Sequence, residues 1–298
     1  MLYLTLAIAC SLAIAMILKY AGRQGMDRVA MLAANYAVAV VLALFFLTVG
    51  GAPDGRTLHL DPGLVALGVF TGTLFIENFF IYAYATHMAG MSLAIAVMRV
   101  AVVIPFMASW WIWGETPTPA QGAGLLLATL AFFLIARPRR EADGVHPESR
   151  EKGRHRARVF GVLLLLFWGS GLVDVSLKTF DEVYASENSL DLFLLMLFGV
   201  ALIIGAGFVV RARLRTGRRP SFRTLRWGAL LGLANYGSAV FFLRAIRELS
   251  GPFVFPVNHI SLVIGGAVLG VLVWGERLSR VNVIGLALAA AALVLLSV

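Results

Sequence analysis

The sequence predicts an all-α membrane protein of ten transmembrane helices arranged as two inverted five-helix repeats. Composition is the first reason: 60% of the 298 residues are hydrophobic and 14% charged, whereas soluble domains carry about 45–50% apolar and about 25% charged residues. The second is that the apolar residues fall in blocks of about 17–22, the length that crosses a hydrocarbon core of about 30 Å as a helix. The third is that one half of the chain echoes the other.

The blocks run over 2–18, 29–49, 63–85, 91–113 and 119–136, then 159–177, 190–210, 225–246, 252–274 and 281–298. No basic residue precedes the first block, and Cys10 stands too early to follow a complete leader. It therefore reads as a membrane helix and not as a signal peptide. Most connections are short, while 137–158 is long, polar and rich in Arg, Glu and His. That segment divides the chain into a first unit (1–136), a linker (137–158) and a second unit (159–298).

The echo is carried by particular residues. Trp113-Gly114-Glu115 recurs as Trp274-Gly275-Glu276, a shift of 161, and at the same shift Gly124-Leu125-Leu126 falls on Gly285-Leu286-Ala287 and Gly90 on Gly251. Gly68-x-x-x-Gly72 matches Gly228-x-x-x-Gly232 at 160, and Lys19 matches Lys178 at 159. Two copies of a five-helix unit follow. Because five is odd, the second copy enters the membrane inverted, which places a pseudo-two-fold axis in the membrane plane.

The net charge of +9 sits in loops, mainly 137–158 and 211–226, the pattern of cytoplasmic loops and not of a nucleic-acid surface. With the N-terminus outside, 20 Lys and Arg lie in inner loops and four (Arg56, Lys178, Arg244, Arg247) in outer ones, where Asp181, Glu182, Glu187 and Asp191 gather. The expectation is a bacterial inner-membrane protein with both termini periplasmic, its basic loops setting topology and touching anionic lipid. The lone Cys10 excludes an internal disulfide and a thiolate metal cluster. No cofactor or metal is expected, and coupling to protons or to substrate exchange stays open.

A charge near the bilayer centre costs about 2.5–3.5 kcal/mol on insertion scales, so it persists where it faces a cavity or a partner. Arg99, midway along the fourth block, is the clearest candidate: a cation for a substrate carboxylate or phosphate, or a structural partner of a buried carboxylate. Glu77 and Asn78 in the third block are candidates as its counter-ion, as substrate ligands or, for Glu77, as a proton carrier. Asn258 and His259 in the ninth block align with Val97 and Met98, one step from Arg99, as a midplane site between repeats requires. Pro105 and Pro256 are expected to interrupt these two helices by removing backbone donors. Asp174 and Lys178 share a face of the sixth block, behind the aromatic Trp168. Asn35 in the second block, with Asn235 and Tyr236 in the eighth, completes the set, with packing as the alternative role. Glu115 and Glu276 read as caps at helix ends, and the Gly-x-x-x-Gly pairs as close-packing surfaces.

Ten helices in two inverted halves, each with Trp-Gly-Glu closing its fourth helix, resemble the drug/metabolite transporter superfamily, in particular its EamA-like families. The resemblance implies a transporter whose helices 1–4 and 6–9 line a central cavity, with the fifth and tenth supporting it. It implies a small metabolite, amino acid-like or another small organic solute, moved by alternating access, with export as the direction. The membrane-embedded glutamate of the small multidrug resistance branch has no counterpart in the first helix, which offers Thr5, Cys10 and Ser11. A channel or lipid flippase of the same fold is the alternative. A membrane-embedded transferase is disfavoured, because it needs a nucleophile with a base, or clustered carboxylates. His59 and Asp61 lie close together without a second acidic cluster.

Overall fold

The computed structural model describes residues 1–49, 61–114, 116–136, 149–217, 219–249 and 251–297. His59, Glu115 and the first part of the linker, 137–148, lie outside the described residues. Among those described, every element is a helix: α1 (Leu2–Arg23), α2 (Arg28–Val49), α3 (Pro62–Met88), α4 (Met91–Val100), α5 (Val103–Trp113), α6 (Pro119–Ile135), α7 (Ser149–Val183), α8 (Leu190–Thr216), α9 (Phe222–Leu249), α10 (Gly251–Leu272) and α11 (Arg280–Leu296). Six spans, with α4 and α5 counted together over Met91–Trp113, are long and apolar enough to cross a membrane, and α6, α11 and Val257–Leu272 are shorter apolar helices. The chain is a multi-pass membrane protein.

Several helices outrun their apolar blocks. α7 begins ten residues before residue 159 and α8 continues through Arg211, Arg213 and Arg215, since long basic side chains carry their charge out to the aqueous interface while the backbone stays helical. Capping fixes other starts: Asp61 accepts from the Gly63 and Leu64 N–H groups ahead of α3, and Thr118 with Gln121 and Ser279 with Asn282 form reciprocal boxes ahead of α6 and α11.

The fourth block departs from expectation by being two helices. Pro105 has no N–H to give to the Ala101 carbonyl, and the ladder tightens there: Val102 N–H bonds the Arg99 carbonyl at 3.4 Å and Ile104 N–H the Ala101 carbonyl at 2.9 Å. The chain leaves α4 at Ala101 and restarts in α5 at Val103. Pro256, by contrast, does not interrupt α10, which is continuous over Gly251–Leu272. It stands in the second turn, where the carbonyl it deprives belongs to Pro252 in the first turn, which weakens the start of the helix without splitting it.

Packing joins the two halves. α1 and α2 lie against α9, α7 and α8 lie against α3, α2 meets α8, α4 meets α10, and α6 meets α11. Each contact has its counterpart when the halves are exchanged. The glycines make this concrete. A methyl group on Gly72 would lie 2.6 Å from the Leu197 carbonyl oxygen and 2.8 Å from Val200 Cβ on α8, and one on Gly232 would lie 2.5 Å from the Asn35 carbonyl oxygen and 2.8 Å from Val38 Cβ on α2. In lipid, where water does not drive helices together, such backbone approach is a main source of association. Gly124 packs on Leu295 and Leu296, and its repeat mate Gly285 on Leu134 and Ile135.

Candidate functional site

Between five helices lies a cavity of about 160 Å³ lined by Ser11 and Ile14 of α1, Phe79 and Tyr82 of α3, Ile95, Met98 and Arg99 of α4, Asn235 and Ser238 of α9 and Leu262 of α10. Its wall is apolar on α10 and on much of α3 and α4, and polar around Arg99, Tyr82, Asn235 and the two serines. Arg99 is held there by the break: it is the last but one residue of α4, and its carbonyl receives the tightened Val102 N–H. Its Nε is buried without a hydrogen-bond partner.

Arg99 interacts electrostatically with Asp174 of α7, Tyr82 of α3 and His259 of α10. Four polar or charged groups from four helices thus share one neighbourhood, of which Arg99 and Tyr82 line the cavity. Gly171 lets α7 come against Ile104 at the break, which brings Asp174 toward α4. Asn258 is 5% exposed and its Oδ1 has no partner in the protein. A molecule in the cavity with an anionic group would satisfy the orphaned Arg99 Nε.

The other candidates are distributed differently. Glu77 is exposed on the outer face of α3, so the carboxylate coupled to Arg99 is Asp174. Asn78 is buried at the α3–α7 crossing, where its Nδ2 donates to Ser170 Oγ at 3.1 Å. Asn235 donates to Asn35 at 3.3 Å across the α2–α9 crossing while also lining the cavity. Tyr236 stacks on Phe46, with ring centres 5.7 Å apart. Trp168 is 52% exposed. Lys178 pairs with Glu182 at 3.2 Å and lies 5.4 Å from the centre of the Trp113 ring. Tyr82 and Ser238 went unnoticed in the sequence and Ser11 stood out only as a polar residue of the first helix, because a single hydroxyl in an apolar helix carries no distinguishing signal.

A second polar cluster closes the Lys19 end of the bundle. Glu276, in the turn after α10, pairs with Lys19 at the end of α1 and accepts from the Met91 N–H at 2.5 Å, the Ser92 N–H at 3.1 Å and the Ser92 hydroxyl at 2.7 Å. It therefore does cap a helix, but one in the other half of the chain. Arg23 bonds the Trp274 carbonyl at 3.0 Å and lies over its ring at 4.8 Å. Gly90, at φ +100°, leaves room for the carboxylate: a methyl group there would sit 2.9 Å from its carbon. Burial alone would raise the Glu276 carboxyl. The hydrogen bonds from Lys19, Ser92 and Met91 and the Lys19 charge together hold it below its ordinary value of 4.5.

Residues 1–137, which supply α1 to α6 and seven of the ten cavity residues, match the EamA-like transporter family. Over these residues the chain is similar to that family, which is part of the drug/metabolite transporter superfamily. EamA-like proteins are transporters and not enzymes. Over 297 residues the whole chain is 25% identical to an uncharacterised protein of Haemophilus influenzae, covering 95% of this chain and 93% of that one. A crystal structure with 15% sequence identity covers 99% of this chain and 94% of its own at a TM-score of 0.61, a likeness of fold. The EamA-like half contributes Arg99 and Tyr82 to the cavity, and the second half contributes Asn235, Ser238 and Leu262.

Proposed function

We propose that the chain is a secondary transporter that carries a small organic solute, amino acid-like in bearing an anionic group beside an apolar part, across a bacterial inner membrane by alternating access, with export as its direction. The observation that carries this reading is Arg99, a cation with an unbonded Nε lining a cavity between the halves. An arginine in that position recognises carboxylate or phosphate oxygens with directed N–H groups. Ile14, Phe79, Ile95, Met98 and Leu262 supply the apolar side. A void of about 150 Å³ accepts benzene in another protein, so a cavity of about 160 Å³ suits a compact solute.

Exchange-symmetric packing supports the inverted repeat: Gly72 on α8 mirrors Gly232 on α2, and Gly124 on α11 mirrors Gly285 on α6. A site between two inverted units opens to either side when the units rock. Asp174 is the group placed to carry a proton if the transport is proton-coupled, because it faces Arg99. Purified protein is tested by thermal stabilisation with amino acids, organic acids, sugars and cationic dyes, since a ligand of the folded state raises apparent stability. The hit is then assayed in proteoliposomes. Stabilisation by carboxylates that Arg99→Gln abolishes supports the reading, and stabilisation only by cations overturns it. A steady ionic current through the wild-type chain in a planar bilayer would make it a channel instead.

A further inference from the structure

Three helices that wall the cavity end at the Lys19–Glu276 cluster. α1 gives Ser11 and Ile14 to the wall and Lys19 to the cluster; α4 gives Ile95, Met98 and Arg99 to the wall and Met91 and Ser92 to the cluster; α10 gives Leu262 to the wall and leads into Glu276. Only one to two helical turns, about 6–8 Å at 1.5 Å per residue, separate wall from cluster along α1 and α4. The Lys19 and Glu276 side chains are 9% and 10% exposed, so the charge pair is buried between the helix ends on this side of the cavity. Near the start of α1, Leu4, Ala245 and Val254 form a separate apolar cluster.

α4 has two further properties. It is ten residues long, about 15 Å, with Glu276 on its first N–H groups and Arg99 at its far end. It is also separated from α5 by the break at 101–102, where short 3₁₀-type bonds replace the regular ladder, a feature often found at functional hinges. A carboxylate on a helix N-terminus is stabilised by the unbonded N–H groups and the helix dipole, which fixes one end of the segment against the other half of the molecule.

We infer that Glu276 is a positioning residue for transport: paired with Lys19 and seated on the start of α4, it gates the Lys19 side of the cavity and sets the position of Arg99 through the rigid α4 segment. Opening this side requires the Lys19–Glu276 pair to part, whereupon α4 turns at residues 101–102 and carries Arg99 with it. The inference rests on the alternating-access reading above.

The test uses the full chain with Cys10→Ser and a reporter Ser238→Cys in the cavity wall, in vesicles of each orientation, with a membrane-impermeant thiol reagent. In the otherwise native chain the reporter reacts slowly from the Lys19 side. Lys19→Gln and Glu276→Gln accelerate that reaction by between about fivefold and a hundredfold, the range of ordinary coupling between sites, without accelerating it from the opposite side. Lys19→Arg keeps the slow rate. Monodisperse elution and a cooperative melt establish folding, and Lys19→Gln, which leaves the α4 cap in place, decides the matter should Glu276→Gln fail to fold. Unchanged labelling from the Lys19 side in folded Lys19→Gln overturns the gate while alternating access stands. A steady current through the wild-type chain in a planar bilayer overturns alternating access and the gate with it.

Discussion

A guanidinium in the middle of a membrane span was conspicuous in the sequence because its neighbours are Met98 and Val100, and the structure places it on a cavity with Nε unbonded. Replacing Arg99 by Gln keeps a donor and removes the charge. Transport of an anionic solute should fall by between about tenfold and a hundredfold, the effect of losing a charge-assisted hydrogen bond worth about 1.5–3 kcal/mol, while membrane insertion and the elution profile stay native; wild-type uptake by the variant in proteoliposomes would make Arg99 structural. Glu276 gives a second prediction. Its carboxyl is held below 4.5 in the fold, so between the folded and unfolded values the unfolded chain binds more protons, and the stabilisation present above about pH 4.5 is lost as pH falls through the lowered value. The melting-temperature gap between wild type and Glu276→Gln should therefore narrow on acidification below pH 4.5, and parallel curves would contradict this. What the sequence withheld at this scale was direction. Glu77 and Asn78 are adjacent, yet a step of one residue turns a helix by about 100°, and one faces outward while the other grips Ser170.

Among the elements, the two prolines teach that position within a helix decides what a missing N–H does. Pro105 lies mid-span and the helix parts there, whereas Pro256 lies in the second turn of α10 and the helix runs on. If the break is the pivot of α4, Pro105→Ala restores the donor, favours one straight helix and lowers turnover more than substrate affinity, by about tenfold; equal loss of both would point to a damaged site. The glycine surfaces were legible as spaced small residues, but their partners were not, because a spacing does not name the helix that fills it. Gly72→Val and Gly232→Val force a side chain against the Leu197 and Asn35 carbonyls, at a cost of about 1–3 kcal/mol each. Gly122→Ala, where nothing lies within 4 Å, should leave the melt in detergent unchanged or slightly raised. Destabilisation by Gly122→Ala equal to that at Gly72 would remove the packing explanation.

At the scale of the molecule, the composition and the apolar blocks already contained an all-helical, multi-pass membrane fold, because lipid leaves few ways to satisfy a backbone. The sequence did not contain the fact that most close packing crosses between halves, since internal similarity relates positions without bringing them into contact. That packing gathers the basic loops. Arg223 bonds Tyr20 and Gln24, Arg23 bonds Trp274, and Arg28 lies 5.7 Å from the Tyr84 ring centre, so the ends of α1, α3 and α10 and the starts of α2 and α9 share one surface. The span from Met91 to Trp113 carries Trp113, and with it Lys178, to the other end. Lys and Arg are retained on the cytoplasmic side, so the surface bearing Lys19 and Glu276 is expected to face the cytoplasm and the termini to lie outside. Alkaline phosphatase fused to the C-terminus should be active and a fluorescent protein there dark, with the reverse for fusions in the 211–226 segment. An active phosphatase within 211–226 would invert the molecule, and the charged gate beneath Arg99 would then close the outer side.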